Sequence, residues 1–169
     1  MYLGLGSAGT AQRITVPEGV EGIRQTLRIM KSLTREGRKN VAIREQAVAL
    51  VQGARQQDWM AEVQALFHFV RDHVRYVRDI RGTETLHTPE RVLAQRAGDC
   101  DDKAILLASL LEAIGHPTQF VAVARKAGHY VHVYVETRIG NRWVPLDPTV
   151  PVKAGWSPRG IVSRMRIRN

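Results

Sequence analysis

The chain has 169 residues, 44% of them hydrophobic and 24% charged, with 25 Lys and Arg against 16 Asp and Glu for a formal charge of +9. That length suits one domain with its own core. No run of about 18 apolar residues offers a membrane span, and a single cysteine excludes an internal disulfide. The arginines are spread along the chain, which reads as a solvated basic surface. With no zinc finger, phosphate-binding Gly-Lys-Ser/Thr loop or aromatic-rich RNA motif, nucleic acid is not expected as a partner.

The opening, "MYLGLGSAGTAQR", lacks the charged start and apolar stretch of a secretory signal. Residues 1–17 are Gly-rich and read as an extended arm, ordered only by a partner. From 18 to 37, Ile23, Leu27, Met30 and Leu33 recur at helical spacing, and Gly37 is a natural stop. A second helix runs over 40–54 through Val41, Ala47, Val48 and Val51, and a third over 58–74 with Trp59, Val63, Leu66, Phe67 and Val70 on one face. "VRYVRD" (74–79) is short and β-prone, and "TPERVLAQR" (88–96) is a helix entered through Pro89.

The helix after Cys100 is apolar on nearly its whole circumference, which places it at the centre of a domain. Gly115 ends it and Pro117 prevents its resumption. The period then changes to two. "TQFVAVA" (118–124), "HYVHVYVE" (129–136) and "NRWVPLD" (141–147) read as three strands. The basic tail reads as irregular. The organisation is an arm (1–17), an N-terminal helical part (18–57), a core (58–150) and a tail (151–169) in one globular domain. The fold class is α+β: helices, one of them buried and central, on an antiparallel sheet of three or more strands.

The chemistry lies in "RAGDCDDKAILLASLL" (96–111). Structural cysteines sit among apolar neighbours, and Cys100 stands among aspartates at a helix start. Asp99 suits the N-cap, and Asp102, three residues on, holds the position of the capping box's acidic partner. The helix N-terminus lowers the pKa of the thiol and the aspartates raise it; the sequence leaves the balance open. A cysteine nucleophile needs a base and the base an orienter. "RIGNR" must turn the chain between the second and third strands. A turn at Ile139-Gly140 puts His132 opposite Asp147; a turn at Gly140-Asn141 offsets them by two. Either register leaves both on one face, a three-residue turn would flip one strand and separate them, and His129 has the opposite parity. A metal held by Asp99, Cys100, Asp101 and His132 is set aside, because zinc sites favour thiol–histidine sets; neither metal nor cofactor is expected.

"GDCDDKAILLASLLEAIGHPTQFVAV", "HVYVE" and "WVPLDPT", in that order, resemble the transglutaminase-like superfamily of cysteine enzymes, on a papain-like fold. The match covers about residues 59–150, with "LFHFVRDHVRYVRD" and "TPERVLAQRAGDC" resembling the family's lead-in. The resemblance implies Cys100 as nucleophile, His132 as general base and acid, and Asp147 as orienter. It also implies the backbone N–H of Cys100 as half of an oxyanion hole, with Tyr76 or Gln95 as the other donor. Many crosslinking members carry Gln-Cys-Trp where this chain has Asp-Cys-Asp, which implies hydrolysis of a peptide or peptidoglycan-like amide instead. "EGIRQTLRIMKSLTREGRKN" resembles a subgroup common in tailed bacteriophages. That implies the host's bacterial cytoplasm and the virion as locations. It also implies an alternative role as a particle or tail component, meeting other phage structural proteins through the arm and the tail.

Overall fold

The structure is a computed structural model describing residues 11–14, 17, 19–78 and 84–169. Helices α1 (Gly19–Gly37), α2 (Val41–Val51), α3 (Trp59–His73) and α4 (Pro89–Gln95) surround α5 (Cys100–Ala113). The other side of α5 is closed by strands β5 (Thr118–Lys126), β6 (His129–Ile139), β7 (Arg142–Leu146) and β8 (Ser163–Arg168). These four form an antiparallel sheet in the order β7-β6-β5-β8. Two short pairs complete the set: β1 (Ala11–Ile14) with β3 (Glu84–His87), antiparallel, and β2 (Arg75–Tyr76) with β4 (Ala97–Gly98), parallel.

Residues Asp101 to Leu111 of α5 are all buried. Full burial of a side chain such as Ile105, Leu106, Leu107 or Leu110 contributes about 1.5–3 kcal/mol each. Phe120, Ala122, Val133, Val135 and Leu146 supply the sheet's side of the same core. The other sheet face is also partly covered, because Val121, Val123 and Tyr134 pack together with Ile161. Gly115, at φ +95°, takes the chain out of α5, a conformation that other residues adopt only with strain.

The departures from the expected elements have local causes. The tail is not irregular: Ser163–Arg168 is the fourth strand, paired with β5 from Gln119↔Arg168 to Ala124↔Ser163. Met165 and Ile167 alternate inward against the core, while arginines fill the outward positions and hide the strand signal. Part of the arm pairs within the chain, Ala11 to His87 and Ile14 to Glu84. Residues 1–10, 15–16, 18 and 79–83 lie outside the described residues. Helix α2 buries Ile43 and Ala47, leaving Val41 and Val48 exposed. Trp59, the first residue of α3, is half exposed.

Gly37 closes α1 for a reason different from a left-handed cap. A Cβ there would lie 2.2 Å from Pro89 Cγ and 2.8 Å from Ser109 Oγ, so α1 meets α4 and α5 at glycine distance. Gly37→Ala is expected to destabilise by about 1–2 kcal/mol in chemical denaturation, because overpacking exceeds alanine's gain in helix propensity.

Candidate active site

The approach to the thiol is built by a tight run of backbone. Arg96 adopts a left-handed conformation (φ +52°) after α4, and β4 then pairs with β2, Tyr76 opposite Gly98. A Cβ on Gly98 would lie 2.6 Å from Asp102 Cβ, so no side chain fits. Asp99 caps α5, its Oδ1 accepting from the N–H of Asp101 (3.0 Å) and of Asp102 (3.1 Å). The cap leaves the N–H of Cys100 outside its own bonds. Asp102 does not serve the capping box. Its Oδ1 accepts from the N–H of His87 (2.9 Å) and its Oδ2 lies 2.8 Å from His87 Nδ1, so this buried carboxylate ties β3 to the helix start.

The turn between β6 and β7 is Gly140-Asn141, with Ile139 opposite Arg142 and Gly140 at φ +58°. His132 and Asp147 are therefore offset by two along their strands and share a face. Residues flanking a two-residue turn exchange hydrogen bonds, so Ile139, Thr137, Val135 and Val133 all aim their N–H groups toward the line of β7. Strand β7 ends at Leu146, opposite Val135. The next donor, Val133, faces the thiol of Cys100 instead, and its N–H favours the thiolate. The head of α5 thus takes the rung that β7 leaves open, one residue from His132.

His132 Nε2 lies 2.7 Å from Asp147 Oδ2. Asp147 is 1% exposed, and its Oδ1 also accepts from the N–H (3.1 Å) and hydroxyl (2.6 Å) of Thr149. Burial pushes the Asp147 carboxyl up, but the hydrogen bonds from His132 and Thr149 outweigh burial and hold it below the ordinary carboxylate value. The balance at the thiol falls the other way. Burial first, then the charges of Asp101 and Asp99, raise the Cys100 pKa well above the ordinary thiol value, against the opposing Val133 N–H. The thiol points its own proton toward Asp101 Oδ1 at 3.6 Å.

Of the two side chains implied as oxyanion donors, Tyr76 stands close enough to the thiol for its charge to act on the phenol, whose pKa is raised by burial and then by Cys100. Gln95 is exposed at the end of α4, and none of the described hydrogen bonds joins it to the thiol. Two participants carried weaker sequence signals. His87 is the partner of Asp102, and only a histidine beside "TPERV" marked it. Lys103, 2% exposed in the central helix, donates to the carbonyls of Val74 (2.7 Å) and Arg71 (3.4 Å). The signal there was a charge inside a wholly buried helix, which must find acceptors. Among the described residues, no group of three or more His, Cys, Asp and Glu is placed to hold a metal ion.

A thiol at the head of a buried helix, docked on an antiparallel sheet that carries a paired imidazole and carboxylate, defines the transglutaminase-like class of mixed helix-and-sheet folds. The family model of the transglutaminase-like superfamily matches residues 44–148, well over half of the chain. The chain belongs to that superfamily. Two solved structures share the fold. One, described as a candidate cysteine protease from Cytophaga hutchinsonii, is 20% identical, with a TM-score of 0.50 over 76% of this chain and 46% of that one. The other, described as a candidate protease from Parabacteroides distasonis, is 15% identical, with a TM-score of 0.55 over 72% of this chain and 25% of that one. The match thus spans less than half of either relative's length. No curated protein matches the chain. No helix among the described residues is long and apolar enough to cross a membrane.

Two outcomes follow from the charges. Asp101→Asn removes the second cause of the raised thiol pKa, so the pH at which iodoacetamide labelling of Cys100 reaches half its maximum rate is expected to fall. Burial lowers the Lys103 pKa from 10.5 to about 8. Between those values the unfolded chain binds more protons than the folded one, so this group makes stability rise with pH. Lys103→Met is expected to abolish that part of the rise in urea titrations at a series of pH values.

Proposed function

We propose that the chain is a cysteine hydrolase, a protease or amidase, working through Cys100, His132 and Asp147. The observation that carries this reading is the imidazole of His132 held at 2.7 Å by the buried carboxylate of Asp147, one residue along β6 from the Val133 N–H that acts on the Cys100 thiol. The fold shared with candidate cysteine proteases supports it.

The chemistry is acyl transfer. With the thiol pKa raised, the resting site holds a neutral thiol, so the base acts as attack proceeds. His132 Nε2 is engaged by Asp147, leaving Nδ1 to take the proton from Sγ. The sulfur bonds to the amide carbonyl carbon, and the N–H of Cys100 and the hydroxyl of Tyr76 donate to the developing oxyanion. The carbon–nitrogen bond breaks as the imidazolium returns its proton to the leaving amine, which gives a thioester. Water, deprotonated by the same imidazole, then attacks the thioester and the thiol leaves reprotonated. The substrate class is a peptide or peptidoglycan-like amide, and the Asp-Cys-Asp setting of the nucleophile favours water over a lysine amine as second acceptor.

A second reading, a component of a phage particle or tail, is supported by the likeness of residues 21–40 to a phage subgroup and by the Gly-rich arm. Of the two chain ends expected to meet other particle proteins, the basic tail has residues 163–168 bound into the sheet.

Turnover of fluorogenic peptide mixtures and of purified peptidoglycan fragments tests the hydrolase. Cys100→Ala is expected to fall to background, and Asp147→Asn to lose about 10²–10⁴-fold in kcat. Equal turnover by Cys100→Ala and the native chain would overturn the proposal.

A further inference from the structure

A cleft of about 430 Å³ is lined by neighbours of both halves of the site, while Cys100, His132 and Asp147 stand outside its walls. Tyr76, whose phenol responds to the thiol's charge, lines one side, and Thr149, bonded to Asp147, lines the other. Lys103 lies on the same helix three residues beyond Cys100, so their Cβ atoms are neighbours at about 5–6 Å.

The charge in this cleft is one-sided. Its described lining carries Arg71, Arg75, Arg96 and Lys103 against the single carboxylate of Asp72. Arg71 is spent: its guanidinium makes two bonds to Asp72, at 2.6 and 2.8 Å, and a third to the Val152 carbonyl. Among the described residues, none of the other three has a hydrogen-bonded carboxylate. Arg96 lies over the Phe69 ring, 4.5 Å from its centroid. Arg75 is exposed and sits beside it, because its N–H donates to the Arg96 carbonyl at 2.8 Å. The ammonium of Lys103 has three donors and two carbonyl acceptors. The ammonium is hydrogen-bonded only to carbonyls, with the charges of Asp147 and Asp72 acting on it from further off, so one donor is left for an anion that enters from the open side. Burial has already moved this ammonium down to about 8, in keeping with an incomplete set of partners.

We propose that this cleft binds a carboxylate of the substrate, with Arg75, Arg96 and Lys103 as its recognition groups, so that the chain acts on amides within acidic peptides. The inference rests on Cys100 as the attacking group and adds the substrate class. Guanidinium forks match a carboxylate bidentately, and a cationic cleft raises the local concentration of an anionic substrate before the thiol acts.

The chain's single cysteine makes alkylation a direct readout. Three probes suffice: iodoacetyl-glycyl-glutamic acid α-amide, its glutamine α-amide analogue, and the glutamine analogue with a free C-terminal carboxyl. Each forms a thioether on Cys100 with loss of iodide, followed by intact mass, and each rate is divided by the rate on glutathione. At low ionic strength the carboxylate probes are expected to exceed the neutral one by about tenfold or more, a gain suppressed near 0.5 M salt. Comparing the two anionic probes tells a side-chain carboxylate from a chain terminus. Lys103→Met and Arg75→Gln/Arg96→Gln should each reduce the ratio of acidic to neutral probe; the exposed arginine pair keeps the test valid if the lysine variant folds poorly. Acidic and neutral probes reacting at equal normalised rates in the native chain would overturn the proposal. A His132→Ala chain labelled by the neutral probe as fast as the native one would instead overturn the hydrolase reading, and the ratio would still report on the cleft.

Discussion

The N–H of Val133 marks where the head of α5 meets the sheet at the site. It belongs to a series of β6 donors that face β7, and β7 stops one rung short of it. A backbone donor left without a partner inside a protein costs about as much as a lost hydrogen bond. The thiol of Cys100 faces that donor, and the head of α5 can reach it only if the whole helix lies across the sheet at the right height. The burial of α5 from Asp101 to Leu111 secures that height by packing, so the thiol is held by the core of the molecule and not by a loop.

The carboxylates around this joint do separate work, set by what each one faces. Asp99 faces the first-turn N–H groups and holds the helix start. Asp101 faces the thiol and keeps its proton on. Asp102 faces away, to His87 and the β1–β3 pair. Asp147, at the end of β7, faces His132 and Thr149 and stays ionised although buried. Three adjacent aspartates would repel one another strongly if they shared one environment; distributing them over three directions gives each its own donors. Lys103 adds a positive charge on the next turn, and the charges of both Asp147 and Asp72 act on it.

The sheet is covered on both faces, and this explains why its fourth strand is needed. Val121, Val123 and Tyr134 form a second, smaller cluster on the face away from α5. Glu136, on the same face, is bonded by Gln119 and Arg166. Strand β8 therefore supplies Met165 and Ile167 to one side and the counter-charge of Glu136 to the other.

Much of this was determined by the sequence itself. The apolar circumference of 104–114 requires a central helix, the change of period after Pro117 requires strands, and Gly140 restricts the turn so that His132 and Asp147 share a face in either register. Those features are local or obey strict periodicity, so the order of residues specifies them. The tertiary structure alone decided the rest. It chose the register, brought the sulfur to Val133, turned Asp102 to His87 instead of the cap, and resolved the thiol pKa upward. It also bound Ser163–Arg168 into the sheet. Each of these depends on which distant groups burial brings together and how much water it removes from between them, and one-dimensional spacing carries no record of either.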